Sequence, residues 1–147
     1  MPPEIALVDA RLMREARVVE APLTWHVGVA AIVQQPAEAG FLVFCALSVI
    51  ASAGEHAPRQ ATVTGGFLLT YPGEAPADLE ARVAHALTQV IPDVWRPWRE
   101  WTLSQLRAMG FCAVPHIPER PLDVVLAQVR PRLEQNGGRH DPDDELL

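Results

Sequence analysis

The sequence predicts an α+β fold: a four-stranded antiparallel sheet, ordered as a meander, with two to three helices on one face. Three observations predict it. Apolar residues recur at period two, or run unbroken, from residue 6 to residue 71, whereas after Pro72-Gly73 they recur at three and four. Strands grouped ahead of helices, instead of alternating with them, gather the helices on one side of an antiparallel sheet. The 147 residues suffice for a single domain, and 49% of them are apolar, enough to bury a core.

The strands are read in order. From residue 6 to 18, Ala6, Val8, Ala10, Leu12, Ala16 and Val18 fall on one parity and Asp9, Arg11, Glu15 and Arg17 on the other. This is the pattern of a half-buried strand, a short amphipathic helix being the alternative. Pro22 ends it. Leu23, Trp25, Val27, Val29, Ala31 and Val33 then share a face, and residues 35–40, rich in Pro and Gly, form a hairpin loop. Phe41 to Ser52 is nearly all apolar, as expected of a central strand covered on both faces. A turn at residues 54–58 leads into a fourth strand from Arg59 to Tyr71. Within it, Gly65-Gly66 marks a bulge or a close backbone approach.

Pro76 is placed as a first helical residue, with Asp78 and Glu80 in the first turn, where the helix dipole favours carboxylates. Leu79, Val83, Ala86, Leu87 and Val90 form its stripe. Ile91-Pro92 interrupts the helix, and Asp93 caps a longer one that Gly110 terminates. The stripe of this second helix is Val94, Trp95, Trp98, Trp101, Leu106 and Met109, and Pro97 falls near its first turn. Residues 111–118 are extended. Pro121 opens a last helix carrying Leu122, Val125, Leu126, Val129 and Leu133 on one side. Residues 1–135 therefore make one domain, and 136–147 a flexible acidic tail.

Charge and motifs exclude several functions. All 12 basic side chains are arginine, against 18 carboxylates, for a net charge of −6. No basic stripe exists for nucleic acid. The longest apolar run, residues 41–53, falls short of the ~20 residues that cross a bilayer, so no membrane insertion is expected. The first residues show no secretory signal, so a cytoplasmic location is expected. Phosphate-binding loops, HExxH and nucleophile elbows are absent, so neither an enzyme nor a cofactor nor a metal is expected. Cys112 and His116 read as a buried thiol beside a loop histidine, with zinc as the alternative, and a Cys45–Cys112 disulfide runs against a reducing compartment. Glu55 and His56 read as solvated turn residues, and Glu100 as a surface partner on its helix.

Trp95, Trp98 and Trp101 lie on one helical stripe beside Arg96, Arg99 and Arg107. Such a stripe is either core or an interface, and the arginines favour the interface. Trp95, Trp98, Trp101 and Arg99 are therefore the expected oligomer contacts. A structural or adaptor protein that binds one folded partner through this helix is the alternative function.

Several segments together resemble a known family. Residues 49–55, Val-Ile-Ala-Ser-Ala-Gly-Glu, are similar to a strand end and turn of the type V-T-A-S-L-G-E. Gly65-Gly66-Phe67 matches a Gly-Gly-apolar strand, Pro97-Trp98-Arg99-Glu100 a P-Y-A-R-E helix start, and Gly110 the helix-ending glycine in the same register. With the closing helix at 118–135, the order resembles the SecB export chaperones and their SecB-like relatives over about residues 6 to 135. The resemblance implies an ATP-independent holdase without cofactors, a homo-oligomer built as a dimer of dimers, which binds unfolded polypeptide clients, either preproteins or an antitoxin. It also implies a client groove between early strands and the closing helix, here Leu23, Trp25, Val27, Leu122, Val125, Leu126 and Val129. There are two departures. Only Glu20-Ala21-Pro22 stands for the family's long crossover between its first two strands, and Arg59-Gln60-Ala61 replaces the Leu-x-Glu face that docks the export ATPase.

Overall fold

A computed structural model describes residues 3–15, 23–53, 59–111 and 113–138. Four strands, β1 (Glu4–Arg14), β2 (Thr24–Ala37), β3 (Gly40–Ser52) and β4 (Arg59–Tyr71), precede three helices, α1 (Leu79–His85), α2 (Ile91–Ala108) and α3 (Asp123–Gly138). The strands form one antiparallel sheet with the helices packed on one face, as the hydrophobic periods require.

The strand order corrects the expected meander. It is β1-β4-β3-β2, so β1 pairs with β4 and lies at the opposite edge from β2. A meander needs a tight turn between β1 and β2. Instead β1 stops at Arg14, earlier than its alternation indicates, which leaves residues 15–23 as the connection. Three strand spacings are about 14 Å, well within the reach of about 30 Å that such a length of chain has. β2 and β3 turn back tightly: Ala37 pairs with Gly40, whose φ of 110° would be strained for any residue with a side chain.

Two bulges reset the side-chain alternation. Pairing shifts between Leu7 and Asp9 on β1, and between Val29 and Ala31 on β2. One extra residue reverses every later side chain. Register therefore puts Ile5, Leu7, Ala10 and Leu12 on the helix face of β1, in place of the single-parity set. On β2, Ile32 enters the core at 2% exposure while Ala31 and Val33 turn to the outer face. Both bulges lie at the level of Gly65-Gly66. Gly65 faces the helices, where an added Cβ would stand 2.6 Å from the Trp101 ring. Gly66 faces outward, where it would stand 2.7 Å from the Phe44 ring. Each glycine thus lets an aromatic ring lie flat on the sheet.

The expectation that β3 is covered on both faces is also corrected. Its odd residues Phe41, Val43, Cys45, Leu47, Val49 and Ala51 are buried under the helices. The even residues Leu42, Phe44, Ser48 and Ile50 are only half-buried, for none of the described elements lies over them.

The α1–α2 boundary differs from expectation as well. Asp78, not Pro76, sets the start of α1: its side chain accepts the Ala81 N–H at 2.7 Å. Ile91-Pro92 does not interrupt the chain. A π-helical turn at Ala86–Val90 carries it without a break from α1 into α2. Pro92 has no N–H for the carbonyl four residues back, and a widened turn accommodates its ring. Asp93 therefore lies inside α2 and, instead of capping, accepts the Tyr71 hydroxyl at 3.0 Å. Gly110, with φ 90°, does end the helix. Its N–H bonds the Arg107 carbonyl and that of Phe111 bonds Leu106, the paired pattern of a glycine stop. At the other end of the domain α3 continues to Gly138, so residues 136–138 are helical, and residues 139–147 of the expected tail lie outside the described residues.

Candidate functional site

The core takes up much of what the sequence offered as surface. Trp95 and Trp98 are 1% and 0% exposed, inside the chain's own core. Trp98 donates its indole N–H to the Leu47 carbonyl at 2.9 Å, and Trp95 donates to the Pro118 carbonyl at 2.9 Å. The two rings tilt against each other at 5.2 Å. Neither leaves surface for a partner. Trp101 is half-buried over Gly65 and meets Phe67 edge-on, and Arg99 donates to the Ile117 carbonyl, which ties α2 to the extended segment after it.

The expected groove residues divide in the same way. Val125 and Val129 are fully buried and pack α3 on the sheet, while Trp25, Val27, Leu122 and Leu126 are half-buried at its margin, as is Leu23. They do not form one continuous groove. α3 runs antiparallel to β2: its Gln128 accepts the Val29 N–H at 2.7 Å, and its Arg132 shares a wall with His26. Leu122 lies six residues before Gln128 and Trp25 four before Val29, in opposite directions. At the rises of helix and strand, about 20 Å separates them.

What the structure gathers instead is an aromatic cluster at one end of the sheet. Pairing aligns Arg14, Ala61, Ala51 and Trp25 in a row across all four strands, on the helix face. Phe111, delivered by the turn at Gly110, lies above the two alanines. It meets the Trp25 ring edge-on at 5.4 Å, and the Arg14 guanidinium lies 4.8 Å from its centroid. Ala51 and Ala61, at 0% and 1% exposure, are small enough to leave that space. Arg14 also stands beside Gly110, at the negative end of the α2 dipole, which favours its charge there. Trp25 and Phe111 are only half-buried, an apolar face with a cation at its rim. Sequence reading found Trp25 but missed Phe111 and Arg14. Only the register of β1 against β4 reveals them.

No set of His, Cys, Asp and Glu that could hold a metal occurs among the described residues. Cys45 is fully buried, and that burial raises its thiol pKa to about 12, an unreactive state. The Cys45–Cys112 disulfide that a reducing compartment argues against, the Cys112–His116 reading and the Glu55–His56 turn involve positions outside the described residues. Glu100 is exposed, with Arg96 at 3.3 Å one turn away. No helix among the described residues is long and apolar enough to cross a membrane.

No family model matches the sequence, and a sequence search of curated proteins returns no match. Among solved structures, the chain is similar to the Mycobacterium tuberculosis SecB-like chaperone Rv1957, in complex with a ChAD peptide from the HigA1 antitoxin Rv1956. The TM-score is 0.50 at 23% identity, over 80% of this chain and 93% of that one. At that identity the likeness is one of fold, and it agrees with the arrangement of strands and helices described above. The chain has the SecB-like fold.

Proposed function

We propose that this protein is a nucleotide-independent chaperone that holds non-native polypeptide through apolar contacts, in protein export or in the control of an antitoxin. The observation that carries the reading is the half-buried Trp25–Phe111 pair with Arg14 at its rim, packed on the margin of the core and only partly covered by it. A holdase needs apolar surface that its own fold leaves uncovered; each 100 Å² so offered contributes about 2.5 kcal/mol to holding a client. The net charge of −6 keeps such a surface soluble. The fold supports the reading because the similar mycobacterial chaperone holds an antitoxin peptide. Cytoplasmic placement and the absence of catalysis belong to the same proposal.

Assembly as a dimer of dimers goes with it, and we place the first contact on β1 instead of the tryptophan helix. Leu7, Val8, Leu12 and Met13 are 43%, 54%, 48% and 38% exposed, and they lie on an edge strand with no neighbour on that side among the described residues. The adaptor alternative must likewise use a surface other than Trp95 and Trp98. For the export ATPase, Arg59 and Gln60 offer little, and Ala61 is buried beneath Phe111.

The test is light scattering of a chemically denatured model protein diluted into buffer, without nucleotide. Equimolar protein should suppress its aggregation, and Trp25→Ser should suppress it markedly less while melting as a folded domain. Aggregation that proceeds unchanged in the presence of the native protein contradicts the proposal.

A further inference from the structure

A second concavity lies away from the aromatic cluster, on the outer face of the β2 edge. It is a half-open groove of about 400 Å³ between β2, β3 and the side chains that α3 extends past the sheet edge. That size is within the range of ligand sites. Its floor is Gly28, Ser48 and the half-buried Ile50, and its walls are His26, Gln128 and Arg132.

With the Ser48 hydroxyl paired to Thr64 at 2.8 Å, Gln128 and Arg132 are the donors that its wall offers. The Val29 N–H takes up Gln128 Oε1 at 2.7 Å, which turns Nε2 of the same amide away from the backbone as a donor. Gly28 makes this possible, because a Cβ there would stand 2.9 Å from Oε1. Arg132 is one helical turn further along the same wall, exposed and without an ion pair among the described residues. In a chain with 18 carboxylates, none of the groove's lining residues is acidic.

We propose that this groove binds an extended polypeptide segment in which an acidic side chain adjoins an aliphatic one, the carboxylate accepting from Arg132 and Gln128 Nε2 and the aliphatic group resting on Ile50. The proposal rests on the reading of the chain as a polypeptide binder and names a class of segment for it. Fluorescence anisotropy of labelled short Ala/Leu peptides against the full chain tests it, with a central Asp, Asn or Arg in otherwise identical probes. The Asp peptide should bind roughly threefold to tenfold more tightly than the Asn peptide, an advantage reduced by 0.5 M NaCl. Arg132→Gln should abolish that advantage without changing the melting temperature, since Arg132 is exposed. The His26 ring resonances should shift on adding the Asp peptide. Equal binding of the Asp and Asn peptides, or an unchanged advantage in Arg132→Gln, overturns the proposal. So does a groove already filled by the chain's own Asp141–Glu145, seen as His26 shifts on Arg132→Gln alone and none on adding peptide. The chaperone reading fails separately: unfolded neutral chains would then go unbound while the Asp peptide still depends on Arg132.

Discussion

Single residues decide which tryptophan is structure and which is surface. Trp98 is fully buried and hydrogen-bonded to the sheet backbone, so Trp98→Asp should unfold the domain outright. Even Trp98→Ala should cost about 3–5 kcal/mol in a denaturant titration. The stripe Trp95-Trp98-Trp101 looks the same in sequence whether it meets the chain's own sheet or another chain, and for that reason its role was not legible. Gly65 is the complementary case. Gly65→Ala drives a methyl into the Trp101 ring and should destabilise by about 1–3 kcal/mol. Combining it with Trp101→Leu should recover part of that loss, because the obstructing ring is gone. His85 supplies a pH dependence. Its imidazole packs against Tyr71 and Phe41, and burial lowers its pKa from the usual 6.5, with Asp93 pulling weakly the other way. The folded state thus favours the neutral ring. Below about pH 6.5 the unfolded chain takes up the proton first, and stability falls. Thermal melts at pH 7.5 and 5.5 should show this decrease, and His85→Gln should flatten it.

At the scale of elements, the boundaries of β3 and β4 were legible because apolar runs and turn residues bracket them. The helix stop was equally so, because Gly110 is a residue that αL geometry selects. Gly110→Ala should destabilise by about 1 kcal/mol, read as a lower melting temperature, because a side chain strains φ 90° and also meets Arg14. What could not be read was every feature that depends on pairing. A bulge is one extra residue, invisible until its partner strand is known. The bulge on β2 moved Ile32 into the core and turned Val33 out of it. The π turn before Pro92 has the same character: a proline within an apolar stripe reads as a break, yet the helix widened instead of ending. The aromatic cluster is assembled by the same long-range register. Arg14 and Trp25 belong to opposite edges of the sheet and meet only through Phe111.

The whole molecule is a SecB-like sheet-and-helix domain whose helix face is closed by its own core and whose apolar margins are not. Its fold class was legible from the change of hydrophobic period, whereas its strand order was not, since a nine-residue connection and an over-long strand look alike. Assembly belongs at this scale. Leu12→Arg on β1 should yield smaller species in sedimentation velocity that remain folded by circular dichroism, and an unchanged sedimentation coefficient would move the contact elsewhere. In the proposed function, the Trp25–Phe111 end receives non-native chains. The most direct measurement is the fluorescence anisotropy of a labelled polypeptide kept permanently unfolded, titrated with native protein and with Trp25→Ser. Saturable binding that weakens at least several-fold in Trp25→Ser is the predicted result; an absence of binding, or equal binding by both proteins, contradicts it.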